Sequence, residues 1–149
     1  MTKLAVSFDD IIERFIPSVT EYAYLGLDED DRNEILYSYI TSAAAKFRDA
    51  CLDDLEDVDN DAGIFYSDLS EETIDILVDL MRVEWLKQKL YNSDLMRNGM
   101  STKDYTIFSP ANLHSQIRET YQDARKDAKN RLYQYSYTHP GVDIAGITI

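Results

Sequence analysis

The stretch from Leu69 to Tyr91 constrains the fold more than any other part of the chain, because it joins a helix start signal to a broad apolar surface. Ser70 is a good N-cap, and the carboxylates of Glu71 and Glu72 suit the positive end of a helix dipole. The apolar side chains after them, which cover well over half of the helical circumference, are Ile74, Ile76, Leu77, Val78, Leu80, Met81, Val83 and Trp85. The sequence therefore predicts a central core helix that packs against neighbours on several sides.

Size and charge exclude several classes of protein. The 149 residues fit one domain with a real core, and 28 acidic residues against 15 basic ones give a formal net charge of -13. Such a surface repels nucleic-acid phosphates and anionic membranes. No hydrophobic run reaches the roughly 18 residues of a membrane span, the first residues lack the apolar core of a signal peptide, and the single Cys51 cannot form an intrachain disulfide. We expect a cytosolic protein, or part of an assembly built in the cytosol, that does not bind membranes.

Two more helical patterns lie in the first half of the chain. Residues Ser7 to Ile16 place their apolar side chains on one face, which predicts a short amphipathic helix capped by Ser7 and stopped by Pro17. A second, long helix is expected to begin near Asp28. Its apolar face follows spacings of three and four and consists of Ile35, Leu36, Tyr39, Ile40, Ala43, Ala44, Phe47, Ala50, Cys51 and Leu55. The alanines on this face allow another helix to approach closely, and we expect that partner to be the Leu69 helix.

A last long helix is expected to begin at Ser109 and Pro110, because serine at the N-cap and proline at the first helical position are typical of a helix start. Its single narrow apolar stripe consists of Leu113, Ile117, Tyr121, Ala124, Ala128, Leu132 and Tyr135. Only one side of this helix needs burial, so the opposite side is available to solvent or to other subunits. The residues that end the helical region are His139, Pro140 and Gly141.

Two polar stretches, Glu56 to Asp68 and Asn92 to Phe108, are expected to be loops. Three carboxylates of the first stretch fit the first, third and fifth positions of a calcium-binding loop and belong to Asp57, Asp59 and Asp61. The template fails at its sixth position, which needs glycine for a sharp turn but holds Ala62. An ordinary solvated acidic loop is therefore the favoured interpretation, and a calcium-dependent regulator is an alternative.

The last eight residues, VDIAGITI, contain four β-branched side chains, those of Val142, Ile144, Ile147 and Ile149. The chain offers no predicted strand with which such a segment could pair, and a lone strand is unstable in water. Two hypotheses therefore remain open: the tail is disordered, or it adds to the sheet or groove of a partner.

Catalytic chemistry has no visible basis in the sequence. His114 and His139 are not spaced with Cys or Glu as a metal pair, and the five glycines are too scattered to form a phosphate-binding loop. The carboxylates occur at helix starts and on solvent faces, where charge runs are usually only solvated. We therefore expect a protein that is not an enzyme and that uses no cofactor or metal.

Five segments, in order along the chain, carry a resemblance to a known family. They are YITSAAAKFRDAC from Tyr39 to Cys51, an acidic loop that closes with Phe65 and LSEE, the helix core DLMRVEWLKQKL, the helix start FSPANL and the helix end QYSY. In this order they resemble the head-to-tail adaptor proteins of tailed bacteriophages, also called head-completion or neck connector proteins. The resemblance covers about two thirds of the chain and consists of packing and capping features.

The resemblance, together with the helical patterns, predicts an all-α fold. This is a small helical bundle of three long helices and a short N-terminal helix over residues 1–137, followed by an extended C-terminal tail over residues 138–149. In the family such a protein forms a homo-oligomeric ring, commonly a dodecamer, between the portal protein and a stopper, head-closure or tail protein. The resemblance thus implies a virion protein of the phage neck that is assembled in the host cytoplasm.

DNA would pass through the lumen of this ring without sequence-specific binding, because carboxylates that line it repel the DNA backbone. Partner binding is assigned to the exposed side of the final helix and to the tail. The residues are Arg125, Lys129, Tyr133, Tyr137, His139, Val142, Ile144, Ile147 and Ile149. An acidic DNA mimic that inhibits a nucleic-acid-binding protein is the main alternative, because the charge and the size fit, but the basic residues of the final helix count against it.

Overall fold

The computed structural model describes residues 5–18, 29–99 and 113–149, and these ranges are mainly helical. Their α-helices are α1 (Phe8–Phe15), α2 (Glu29–Phe47), α3 (Glu71–Gly99) and α4 (Leu113–Thr138), and a 3-10 turn (Ile16–Ser18) follows α1. Three short strands, β1 (Val6–Ser7), β2 (Val58–Asp59) and β3 (Ile64–Phe65), form an antiparallel sheet in the order β1-β3-β2. The prediction of a helical fold is confirmed, and the small sheet corrects the prediction of a purely α class.

Helix α3 is the central element of the core, as predicted. Ser70 caps it, since the hydroxyl accepts a hydrogen bond from the Thr73 amide at 3.1 Å. The helix packs against α1, α2 and α4. Its most deeply buried side chains are Ile76, Leu77, Leu80, Met81 and Val83. Because three helices cover it on different sides, most of its circumference has to be apolar.

The same helix is longer than the sequence predicts. It continues through Gly99, so the expected loop is wrong for residues 92–99, while residues 100–108 lie outside the described residues. Neither proline nor glycine interrupts the chain before Gly99, and a few polar side chains do not end a helix that is already propagating.

Helix α2 ends earlier than its apolar pattern predicts. The last helical residue is Phe47, whose carbonyl accepts hydrogen bonds from the amides of Ala50 and Cys51, both at 3.0 Å. Beyond it, the Asp54 carboxylate accepts hydrogen bonds from the amides of Glu56 at 3.0 Å and Asp57 at 3.3 Å. These bonds favour turns over helix. The apolar side chains of Ala50 and Leu55 are buried nonetheless, but from a loop rather than from a helix.

The acidic connection between α2 and α3 contains a β-hairpin, where the sequence predicts only a loop. The Asp59 carboxylate accepts hydrogen bonds from the amides of Asp61 and Ala62, both at 3.0 Å, so it is used to form the turn. Strand β3 then pairs with β1, with Phe65 opposite Val6. In the described ranges, no group of three or more His, Cys, Asp or Glu residues is arranged to hold a metal ion.

Gly63 closes this hairpin in a left-handed conformation with a φ of 70°. A Cβ at this position would lie 2.8 Å from Cε2 of Tyr37. The Tyr37 ring cannot easily move away, because it packs edge-on against Phe8 at 5.0 Å and its hydroxyl donates a hydrogen bond to Asp9 at 3.2 Å.

We expect Gly63→Ala to lower the free energy of unfolding by about 1–2 kcal/mol from the backbone strain alone, with a further loss from the contact with Tyr37. Thermal unfolding measures the difference. Gly146→Ala is the matched control, because nothing lies within 4 Å of the added Cβ and its φ is not positive. Equal melting temperatures for the two variants would contradict this account of the turn.

Helix α1 forms as predicted and docks on the core. The Ser7 hydroxyl accepts a hydrogen bond from the Asp10 amide at 3.2 Å, and the helix ends at Phe15, before Pro17. Its buried side chains are Phe8, Ile11, Ile12 and Phe15. On its outer side, Arg14 Nη1 lies 2.6 Å from Glu71 Oε2, which ties α1 to the first turn of α3.

Candidate functional site

The candidate site is built on α4, which buries only one side, as its narrow apolar stripe predicts. The buried members of this stripe are Ile117, Ala124, Ala128, Leu132 and Tyr135. The predicted helix start at Ser109 and Pro110 lies outside the described residues. Since α4 runs over 26 residues and covers α3 with one face, the other face is left to solvent.

Two polar contacts fix how α4 lies on the rest of the molecule. Arg131 forms an ion pair with Asp79 of α3, and a second with Asp75 at 3.7 Å. Burial raises the pKa of Asp79 even though the Arg131 guanidinium opposes that shift. Further along, the Tyr135 hydroxyl accepts a hydrogen bond from the Leu52 amide at 2.8 Å. These contacts define the rotation of α4 about its axis, and therefore which side chains it exposes.

The loop after α2 and the start of α3 share a polar cluster beneath Tyr135. The Asp53 carboxylate accepts hydrogen bonds from the Ser70 amide at 2.9 Å and from the Thr73 hydroxyl at 2.6 Å. Cys51 Sγ lies 3.6 Å from Thr73 Oγ1, and burial raises the pKa of its thiol. A raised thiol pKa disfavours the nucleophilic thiolate, so the cluster serves as a helix cap rather than as a reactive centre.

The tail folds back along α4 and does not form a strand. Arg125 Nη2 donates a hydrogen bond to the main-chain oxygen of Ile149 at 2.8 Å, and the Ser136 hydroxyl donates one to the Val142 oxygen at 3.3 Å. The side chains packed against the core are Val142, Ile144, Ile147 and Ile149. The structure therefore corrects the expectation that no segment of the same chain packs against the tail, because the tail packs against α4.

A groove of about 450 Å³ lies between α4 and the tail. It brings together six of the predicted site residues, namely Lys129, Tyr133, Val142, Ile144, Ile147 and Ile149. Arg125 lies beside them and holds the end of the tail. Six of its ten lining residues are aliphatic, and its charged groups are the ammonium of Lys129 and the carboxylate of Asp143. Such a surface can bind an apolar segment, but it holds no nucleophile paired with a base.

The other two predicted site residues, His139 and Tyr137, lie away from this groove. His139 turns toward α3, where its Nε2 lies 3.1 Å from Glu72 Oε2 and its ring packs on Tyr135 at 4.6 Å. Tyr137 is 89% exposed and belongs to the outer face of α4. Partner binding by all nine residues stays a prediction, and the geometry divides them between a groove, an outer face and a packing contact.

The outer face of α4 carries a row of four exposed side chains, three of which are among the nine predicted site residues. Lys126, Lys129, Tyr133 and Tyr137 follow helical spacings of three and four and lie on the side opposite the buried stripe. Tyr133 is 63% exposed. We call these four residues the outer ridge. Lys126 is not among the nine predicted site residues, although the periodicity that defines the buried stripe also places it on the opposite face.

Comparisons of the chain with protein-family models, with curated proteins and with solved structures found no match. Among the described residues, none of the helices combines the length and the apolar character that crossing a membrane requires.

Arg125 should control how firmly the tail is held. In Arg125→Ala we expect the amide of Ile147, which donates to the Ile144 oxygen at 3.1 Å, to exchange its hydrogen about fivefold faster, because one hydrogen bond of about 1 kcal/mol is lost. Hydrogen exchange followed by mass spectrometry measures the change. Lys126→Ala, one residue away and exposed, is the control. Equal exchange in both variants would mean that apolar packing alone holds the tail.

Proposed function

We propose that this protein is a structural adaptor of a phage neck and has no enzyme activity. In this proposal the helices form a small bundle, and copies of it form a ring that joins the capsid portal to a stopper or tail protein. The observation that supports it most is the outer face of α4, because two exposed tyrosines lie in line with two lysines. Tyrosine is enriched in interface cores, where it adds a large contact area and one polar group.

The charge distribution supports the same proposal. The formal net charge is -13, and exposed carboxylates occur on the first turns of α2 and on the hairpin. A lumen that exposes such residues lets DNA pass because it repels the phosphates. A ring whose lumen is neutral or basic would contradict this part of the proposal.

The tail, which lies next to the outer face of α4, supplies a second contact surface, which we assign to the portal or to the stopper. Its four aliphatic side chains are only partly buried against the core, and few polar contacts hold the tail to α4. A partner that offers a longer apolar groove could therefore bind this segment at low cost.

Negative-stain imaging of the purified protein, alone and mixed with portal rings of the same virus, tests the proposal. We expect a ring of additional density on one end of each portal. An Ile144→Asp, Ile147→Asp variant should bind more weakly if the tail contributes to the contact. A protein that leaves portals bare but forms a tight complex with a basic nucleic-acid-binding protein would instead support a DNA mimic.

A further inference from the structure

A groove of about 570 Å³ lies between α1 and the segment that leads into α3. Its charged side chains are the carboxylates of Asp10, Glu13, Asp68 and Glu71 and the guanidinium of Arg14. Between them lie the apolar side chains of Leu69 and Ile74, both of which are largely covered by the fold. We call this the α1 groove. Four acidic groups against one basic group make it strongly negative.

The single cation of the α1 groove is already engaged. Arg14 Nη1 lies 2.6 Å from Glu71 Oε2 and 3.7 Å from Asp75 Oδ1. Within the described ranges, no salt bridge involves Asp10, Glu13 or Asp68. Three carboxylates around an apolar floor therefore remain available to a cationic partner that also carries apolar area.

The outer ridge of α4 has the complementary chemistry. Its two ammonium groups, from Lys126 and Lys129, form no salt bridge with any described residue. The two ridge tyrosines follow one and two helical turns later on the same side. The ridge thus presents two cations and two amphipathic rings in a line, whereas the α1 groove presents three anions and an apolar floor.

We propose that the outer ridge of one copy docks into the α1 groove of the next copy. This inference rests on the proposed function and names the contact that would build the ring. The two surfaces differ, so the contact is heterologous and each copy keeps one free ridge and one free groove. Head-to-tail addition then continues until the rotation between copies closes a ring.

The chemistry of the contact also sets its strength. Ion pairs at an exposed surface are weak and are screened by salt. Copies in free solution should therefore associate poorly, and a portal that holds them side by side should raise their effective concentration enough to complete the ring.

Charge reversal on each side tests the contact. One variant carries Lys126→Glu and Lys129→Glu, and a second carries Glu13→Lys and Asp68→Lys, at exposed positions. We expect each to lose ring assembly on portals by at least about tenfold, because like charges then face each other. A third variant with all four substitutions restores opposite charges across the contact and should recover assembly. Sedimentation velocity at low ionic strength, with and without portal rings, measures all three.

Lys87→Glu, an exposed charge reversal on α3, controls for a general effect of charge and should assemble normally. Circular dichroism establishes that each variant is folded. If the two reversed variants assemble like the wild type, or if the folded four-substitution variant does not recover, the docking of ridge into groove is wrong. If the wild type itself forms no ring on portals, the proposed function fails as well.

Discussion

The Tyr135→Ala variant is expected to lose about 3–5 kcal/mol of its free energy of unfolding, which is the usual cost of removing a large aromatic side chain from a core. Tyr135 is 2% exposed and joins three parts of the molecule. Its ring packs edge-on against Phe47 at 5.1 Å, and it lies tilted against the His139 ring at 4.6 Å. Its hydroxyl accepts the hydrogen bond of the Leu52 amide at 2.8 Å. Alanine would leave a cavity and an unpaired amide.

Chemical denaturation measures this loss. Two further variants serve as comparisons. Tyr135→Phe keeps the ring and removes the hydroxyl, which accepts from the Leu52 amide and also hydrogen-bonds the Cys51 sulfur, so it should cost about 1–2 kcal/mol. Tyr133→Ala, on the exposed side of the same helix, should change stability by less than about 0.5 kcal/mol. Similar losses for Tyr133→Ala and Tyr135→Ala would mean that α4 is rotated about its axis relative to this structure.

The pH dependence of stability gives a second readout at Tyr135. Burial raises the pKa of its phenol to about 12, from an ordinary value of 10.0. The folded state therefore favours the neutral phenol more than the unfolded chain does. This contribution is complete below about pH 10 and is lost as the pH rises toward about 12. Over that interval the wild type should lose about 2 kcal/mol more than Tyr135→Phe. Parallel curves for the two proteins would contradict the raised pKa.

The second large effect is expected at Leu77, because α3 is the element against which the other helices pack. The Leu77 side chain is 0% exposed in the middle of the core. Leu77→Ala should lower the free energy of unfolding by about 2–5 kcal/mol, with the exact loss set by how far the cavity collapses. Lys87→Ala lies on the same helix but is exposed, so it should stay within about 0.5 kcal/mol of the wild type. Equal stability of the two variants would argue against α3 as the central helix.

The starts of helices and their buried faces could be predicted from the sequence because they depend on local chemistry. Ser7 and Ser70 each accept the amide hydrogen bond that an N-cap serine is expected to accept. The stripe from Ile117 to Tyr135 follows from spacing alone, since only one face of α4 can reach the core. Such signals involve residues within one or two helical turns of each other.

The ends of helices and the small sheet could not be predicted because they depend on distant partners. Helix α2 stops at Phe47 although its apolar pattern continues, since the loop after it is anchored to α3 by Asp53 and to α4 by Tyr135. The strands are two residues long and pair across the chain, with Val6 opposite Phe65. Patterns of alternation cannot be recognised in segments of that length.

In the candidate site, too, the features that depend on local sequence could be predicted, and those that depend on distant contacts could not. Lys129, Tyr133 and the tail aliphatics could be chosen from the sequence, because exposed aromatic residues and unpartnered β-branched residues are visible there. The α1 groove could not, because Glu13 and Asp68 lie far apart in the chain and come together only in the fold. Arg125 of α4 also forms a hydrogen bond to the end of the tail, and no local sequence pattern predicts that contact.

The mass of the complex between this protein and portal rings tests the central proposal most directly. Native mass spectrometry or mass photometry of the purified mixture counts the copies bound to each portal. An adaptor that closes a head-to-tail ring predicts a fixed number of copies, equal to the number of portal subunits, with partly filled portals only below saturation. A protein that stays a strict monomer and leaves the portal mass unchanged at every concentration would contradict the adaptor function.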